Sequence, residues 1–180
     1  MMKAISVEPD NQPTTANHRN TGWQFLAFAE FLLLGLWLGA MCFFSFAVAP
    51  SAFAVLPSRH LAGLVVASAL TKVEWLGLIF GGLLLLLHFF KARQQQTSRR
   101  LSLVLLLLMI AATAALRFWV SPAMNALRLS MGGVIDDILP TDPLRVQFNN
   151  LHQYSVWLMG ASILAGVALL FVNVRSWFKR

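Results

Sequence analysis

Long apolar runs separated by short polar connectors form the main pattern along this chain. They predict four helices, over about 21–49, 58–90, 101–120 and 143–178. Each run is long enough to hold the roughly 20 residues that an α-helix needs to cross the ~30 Å hydrocarbon core of a bilayer. The pattern therefore predicts an all-α integral membrane four-helix bundle, made of two helical hairpins, over residues 23–180.

The segment before the first apolar run has a different character. Residues 1–22 are polar, contain Pro9 and Pro13, and lack helical periodicity, which predicts a disordered polar tail. The apolar run that follows is longer than the 7–15 residue core of a secretory signal. We therefore do not expect these residues to form a signal peptide.

Boundary signals in the first half place one turn between the first two helices. Thr21 and Gln24 fit a capping box at the start of the first helix. Pro50 and Pro57 are expected to bracket the first turn, because proline lacks the backbone N–H that a continuing helix needs. Ser58 is the expected cap of the second helix.

The second half offers a choice at Pro122, which either ends the third helix or kinks a longer helix that reaches Leu129. A loop over residues 132–142 should follow, since it opens on two glycines. Asp142 and Pro143 then suit the cap and the first position of the fourth helix.

Two proline-containing stretches resemble each other. Phe46–Pro57 reads FAVAPSAFAVLP, and Phe118–Arg128 reads FWVSPAMNALR, so both contain Phe-x-Val-small-Pro. Either the two hairpins are repeats related by a two-fold axis along the membrane normal, or two apolar helices match by chance. The sequence leaves both possibilities open.

Basic residues predict the orientation of the chain. Nine of them fall at one side of the predicted spans: Lys3, Arg19, Lys91, Arg93, Arg99, Arg100, Arg175, Lys179 and Arg180. Only Arg59, Arg117, Arg128 and Arg145 fall at the other side. Because basic loops stay in the cytoplasm, we expect a multi-pass protein of the inner (plasma) membrane with both termini inside.

Composition narrows the class further. The chain is 58% hydrophobic and 12% charged, about half the charge of a typical soluble domain. Cys42 is its single cysteine, so no intrachain disulfide can form. No phosphate-binding glycine loop, G-x-S-x-G or zinc-binding helix pair is visible. We expect no enzymatic activity, no cofactor and no nucleic-acid partner.

Polar residues inside the predicted spans are the candidates for a site, because they are costly in lipid. The inner layer contains Glu30 and His88. The outer layer, the candidate binding residues, contains Lys72, Glu74, Arg117, Asn149 and His152.

Three interpretations of the outer layer are open. Glu74 and Arg117 could pair across neighbouring helices and so satisfy both charges. Alternatively, Arg117 and Lys72 extend to the lipid headgroups. The third interpretation is a substrate or proton site.

A small, polar stripe runs along the fourth helix at three- and four-residue steps: Asn149, His152, Ser155, Met159, Ser162 and Gly166. Such a stripe is expected to face other helices. His152 could also ligate haem or copper, although no H-x-x-x-H or C-x-x-C pair accompanies it.

Two G-x-x-x-G pairs, Gly35 with Gly39 and Gly77 with Gly81, predict close helix packing. Besides packing within the chain, these faces would suit a homodimer. Membrane lipids are the other expected partner.

Three stretches carry a resemblance to a known family: FFSFAVAPSAFAVLPSRHLAG, the Arg-x-x-x-x-Pro-x-x-x-x-x-Arg pattern from Arg117 to Arg128, and FNNLHQYS. Over about residues 24–175, the chain resembles a bacterial four-helix membrane family of unknown function, which is similar to the transmembrane protein 205-like proteins. A more distant likeness is to the copper-resistance D membrane domain. The resemblance implies a four-helix bundle with no established activity, and a link of one relative to platinum-drug tolerance hints at transport or trafficking.

Two functions follow as hypotheses. The first is a non-enzymatic, transport-related or accessory membrane component built around the outer layer. The alternative is a haem-, quinone- or copper-handling protein that uses His152, with His88 or Met159 as helpers.

Overall fold

Helices make up nearly all of the structure, a computed structural model that describes residues 15–90, 96–132 and 138–178. Two five-residue π-helical segments interrupt otherwise regular α-helices. In chain order the elements are α1 (Thr15–Phe43), the first π segment (Phe44–Val48), α2 (Ala49–Val55), α3 (Arg59–Phe90), α4 (Gln96–Ala115), the second π segment (Leu116–Val120), α5 (Ser121–Ser130) and α6 (Pro143–Phe178).

These elements combine into four rods long and apolar enough to cross a membrane: Gln24–Val55, Arg59–Phe90, Arg99–Ser130 and Pro143–Ser176. α1 packs against α3 and α6, and α4 packs against the same two helices. The rods therefore form a closed ring around a common core, which includes Leu34, Met109 and Leu116. The predicted all-α four-helix bundle is confirmed.

The outer surface of the ring is apolar along much of its length. Phe46, Phe90 and Trp157 are among many large hydrophobic side chains that remain exposed. A water-soluble protein rarely exposes apolar patches larger than a few hundred Å², whereas lipid accepts them at no cost. Together with the four candidate spans, this surface identifies a multi-pass membrane protein.

The helix starts follow the sequence signals at two of three positions. The hydroxyl of Ser58 accepts a hydrogen bond from Leu61 N–H (3.2 Å), and the carboxylate of Asp142 accepts one from Leu144 N–H (2.8 Å), so both predicted caps are confirmed. The first helix begins earlier, at Thr15. Thr21 therefore lies inside α1, because no proline or glycine interrupts the chain between Thr15 and Thr21.

Pro50 does not end the first rod, which corrects the predicted turn. The chain widens into a π-helix before the proline, with Ala49 N–H bonded to Phe44 C=O. The wider turn makes room for the pyrrolidine ring of Pro50, which would otherwise clash with the preceding turn of the helix. The helix continues to Val55, and only Pro57 lies in the actual turn, after an extended Leu56.

Pro122 repeats this arrangement in the second half. Ser121 N–H bonds to Leu116 C=O across the second π segment, and α5 then runs on to Ser130. Of the two alternatives at Pro122, the structure has the longer, kinked helix. The backbone ends it at Gly132, whose φ is +74°, a conformation suited to glycine. Asp136 and Asp137 of the predicted loop lie outside the described residues.

For orientation within the bundle, the end that contains Pro50, Pro57 and Pro122 is called the proline end. The end at which α3 stops and α4 starts is called the opposite end.

The second glycine pair is where α3 approaches its neighbours most closely. A Cβ on Gly77 would lie 2.5 Å from Nε1 of Trp37, and one on Gly81 would lie 2.7 Å from Cγ1 of Ile110. Trp37 is only 1% exposed, so its indole is held between α1 and the glycine face of α3. Within the described part of the chain, a Cβ on Gly35 or Gly39, the first pair, would have no contact within 4 Å.

We expect Gly77→Ala to lower the free energy of unfolding by about 1–3 kcal/mol, because the added methyl group must displace the Trp37 ring. Gly82→Ala is the matched control, since a Cβ there would meet nothing within 4 Å. It should be neutral, or stabilising by up to ~1 kcal/mol through helix propensity. Thermal unfolding of the two variants in the same detergent measures the difference, and equal stabilities would contradict the packing described for Trp37.

Candidate functional site

Glu74 is the most deeply buried ionisable side chain that the structure describes, with 1% exposure. It lies near the middle of α3, within a candidate membrane span. Its Oε1 accepts a hydrogen bond of 2.6 Å from Oγ of Ser121. Its Oε2 is buried and has no hydrogen-bond partner among the residues that the structure describes. One half of the carboxyl group is thus held and the other half is open.

Ser121 is positioned by the kink in the third rod. It directly follows the second π segment and precedes Pro122. A serine at the start of a helix after a bend can direct its hydroxyl sideways without competing for the helix's own carbonyl groups. This places the donor of the Glu74 hydrogen bond on the rod that packs beside α3.

Arg117 lies one turn before Ser121 and contacts the residue next to Glu74. Its guanidinium carbon is 5.2 Å from the ring centre of Trp75, a cation–π distance. Trp75 also meets Phe118 edge to face, with ring centres 6.2 Å apart. The Nε of Arg117 is buried and without a hydrogen-bond partner.

The predicted Glu74–Arg117 pair is therefore replaced by a different arrangement. No hydrogen bond joins the two side chains, since Ser121 serves Oε1 while Oε2 and Arg117 Nε stay open. The positive charge of Arg117 still acts on the carboxyl group electrostatically. The aromatic face of Trp75 competes for the guanidinium, which explains why the direct pair does not form.

Four buried polar atoms without hydrogen-bond partners come from four different parts of the ring. They are Trp37 Nε1 on α1, Glu74 Oε2 on α3, Arg117 Nε on the second π segment and Ser162 Oγ on α6. Together with Ser121, these residues are called the central polar cluster.

The level of each member follows from its neighbours. Trp37 lies against Gly77, one turn along α3 from Glu74. Thr113, one turn before Arg117, also faces Gly77, with Cγ2 3.2 Å from the position of a Cβ. Gly166 packs against Leu38, so Ser162, one turn earlier in α6, lies towards the proline end from that contact. The cluster thus lies near the middle of the bundle.

A second polar group lies towards the opposite end. Nδ2 of Asn173 donates to Oε1 of Glu30 at 3.0 Å, and Oγ of Ser102 donates to Oδ1 of Asn173 at 3.2 Å. This network joins α1, α6 and α4. His88, half-buried near the end of α3, lies edge to face with Phe89.

Apolar side chains separate the two polar groups. Leu34, Leu106 and Met109 are buried between them, and Glu30 and Trp37 are seven residues apart on α1, about 10 Å along a helix. The interior therefore alternates from polar to apolar to polar along the axis of the bundle.

The remaining predicted binding residues lie on the surface. Lys72, Asn149 and His152 are exposed, whereas Ser155, Met159, Ser162 and Gly166 are buried. The predicted stripe on α6 is thus internal over its second part only, because three- and four-residue steps drift around a 3.6-residue helix. Within the described residues, no group of three His, Cys, Asp or Glu side chains could hold a metal ion.

The sequence analysis did not identify several residues that belong to the two polar groups. Ser102 and Asn173 complete the network of Glu30, and Trp37 and Ser121 belong to the central polar cluster. A signal for Asn173 exists, since it is a polar residue inside an apolar run at the same predicted depth as Glu30. Trp37 also stands out, because membrane tryptophans concentrate at the interfaces rather than mid-span.

We expect Asn173→Ala to lower the free energy of unfolding by about 1–3 kcal/mol, because it removes both bonds and leaves Glu30 and Ser102 without this partner. Asn125→Ala, at an exposed position of α5, is the control and should change stability by less than about 0.5 kcal/mol. Both are compared by thermal unfolding in detergent. A loss of similar size in the two variants would show that the network contributes nothing.

Comparison with known proteins identifies a family for this chain but indicates no activity. No curated protein and no solved structure matches the chain. Residues 32–132 match the family described as "Domain of unknown function (DUF4149)". The match spans more than half of the chain and includes α3, both π segments, Trp37, Glu74, Arg117 and Ser121. The chain is therefore a member of the DUF4149 family of membrane proteins.

Proposed function

We propose that this chain is a non-enzymatic component of a membrane transport process, in which Glu74 takes up and releases a proton. The observation that carries the proposal is the open Oε2 of Glu74, an acceptor buried inside a membrane span. A carboxyl group in that environment costs a few kcal/mol to retain, and such groups commonly belong to ion or proton pathways.

The unpaired atoms favour a working site over a structural lock. Buried polar groups that only stabilise a fold are normally fully hydrogen-bonded. Here Trp37 Nε1 and Ser162 Oγ are open as well. Open donors and an open acceptor near the middle of the bundle suit bound water that could relay a proton to Glu74.

The arrangement around Glu74 also suits a change of charge. When ionised, the carboxylate accepts from Ser121 and lies in the field of Arg117. When protonated, it can donate through Oε2 while Oε1 keeps its bond to Ser121. The carboxyl group can thus change state without releasing α5.

The orientation of the chain is part of the same proposal. We place both termini in the cytoplasm and the proline end on the outer side, since nine basic residues favour that orientation over the reverse. Glu74 then exchanges protons with the outer side. The apolar layer of Leu34, Leu106 and Met109 lies between Glu74 and the inner side, so onward transfer of the proton requires this layer to open transiently.

The test is an infrared pH titration of the purified protein in liposomes. We expect a carboxylic C=O band that grows on acidification, because Glu74 gains a proton inside an apolar environment. Glu74→Gln should remove the band, while the control Glu30→Gln should leave it, since Glu30 belongs to the other network. A titration without any Glu74-dependent band would overturn the proposal.

A flux measurement separates transport from mere protonation. Liposomes with a trapped pH dye and an imposed potential should show faster proton entry with the native chain than without it. Glu74→Gln should reduce this difference in the rate of proton entry at least tenfold. Glu30→Gln should retain the fold and leave Glu74 in place, so the difference should remain. If the band is present but the flux is absent, Glu74 is a pH-sensing structural group rather than part of a transport path.

A further inference from the structure

Arg128 lies enclosed at the proline end, apart from the central polar cluster. It is near the end of α5 and only 9% exposed. Its guanidinium carbon is 5.7 Å from the ring centre of Phe148 on α6. Its Nη2 is 3.5 Å from the position of a Cβ on Gly63 of α3. Three helices thus surround one cationic side chain.

No acceptor for this guanidinium is found among the described residues. The contact with Phe148 covers one face of the planar group, but a cation–π contact leaves the five in-plane N–H donors unused. A buried cation without hydrogen bonds is costly, and the cost falls only when an anion or another acceptor is supplied. Arg128 therefore has donors to offer an anion that reaches this end of the bundle.

His60 presents a second open polar atom on the same side of α3. Its Nδ1 is buried and has no hydrogen-bond partner, and it lies one turn before Gly63, the residue that faces Arg128. An imidazole nitrogen can donate to an anion when it carries the proton. Arg128 and His60 thus bring donors to one region between α3 and α5.

The other charged residues that the structure describes at the proline end are exposed or already bonded. Arg59 is exposed at the start of α3, and Arg145 of α6 donates through Nη1 to the carbonyl of Ile138. Asp142 already accepts a hydrogen bond from Leu144 N–H as a helix cap.

We propose that Arg128 and His60 form a binding site for a phosphate group at the proline end. The planar guanidinium fork matches two phosphate oxygens, which makes arginine better suited than lysine to this ligand. The site lies near the end of a membrane-spanning bundle, so the phosphate can come from an anionic lipid headgroup or from free phosphate in the adjoining water. The site is independent of the proton chemistry proposed for Glu74.

The experiment has two arms that distinguish these sources. In the first, thermal unfolding of the protein in detergent is followed with increasing inorganic phosphate, against chloride at equal ionic strength. In the second, native mass spectrometry counts the phosphatidylglycerol retained from vesicles of phosphatidylglycerol and phosphatidylcholine. Saturable stabilisation in the first arm indicates free phosphate, and one retained lipid in the second indicates a headgroup.

In whichever arm responds, Arg128→Gln should weaken binding at least tenfold and His60→Leu should weaken it less. The matched control Arg59→Gln removes an exposed charge from the same end and should bind like the native chain. If neither arm responds, or if Arg59→Gln loses as much as Arg128→Gln, the proposal is wrong.

Two further variants keep the result interpretable. Arg128→Lys retains the charge without the fork, so it should keep the fold and bind roughly tenfold more weakly if the fork matters. The double replacement of Asp136 and Asp137 by asparagine tests whether the chain supplies its own acceptor. Unchanged binding supports an external phosphate, whereas binding that emerges only in this double variant would overturn the proposal.

Discussion

The bundle depends on the fit of the Trp37 indole against the glycine face of α3. Lipid removes the hydrophobic drive that brings helices together in water, so packing must supply it. Gly77 and Gly81 let α1 and α4 approach α3 to distances at which any side chain on either glycine would collide. That approach sets the depth and rotation of α3, and Glu74 lies one turn away on the same helix. The position of Glu74 therefore depends on the apolar contact between Trp37 and the glycine face of α3.

The two polar groups contribute differently to the molecule. Glu30, Asn173 and Ser102 form hydrogen bonds that join three helices, as expected of a group that fixes the bundle. The central polar cluster makes fewer bonds than its atoms allow, which is the pattern of a site that binds something small. A layer of leucine and methionine side chains between them prevents a continuous polar path. One polar group of the interior is thus hydrogen-bonded across three helices, and the other keeps open donors and an open acceptor.

Much of this fold could be predicted from the sequence because apolar length and helix caps are local properties. Ser58 and Asp142 acted as caps as their sequence neighbours indicated. Pro50 did not stop its helix, because a π-helical turn absorbs the proline, and no pattern in the sequence distinguishes that outcome from a break. The same uncertainty at Pro122 was resolved in favour of a kink.

The depth of the site residues along their helices was predictable from the sequence, but the direction of their side chains was not. Glu74 and Arg117 were expected at one level, and both lie there, yet Ser121 and Trp75 intervene between them. Lys72 shares that approximate level but faces outwards, and His152 of α6 is exposed as well. Position along a helix fixes depth through a constant rise, whereas the direction of a side chain depends on how neighbouring rods rotate to pack. The burial of Arg128 could not be predicted for the same reason, since it results from the packing of three helices.

The two π segments give both halves of the chain the same bend, yet the residue that follows the bend is Ala49 in one half and Ser121 in the other. Only the second half offers a hydroxyl at that place, and it serves the single carboxyl group of Glu74. The outline of the bundle thus repeats while its chemistry does not. Viewed down the membrane normal, the interior therefore has two chemically unequal sides within a repeated set of helices.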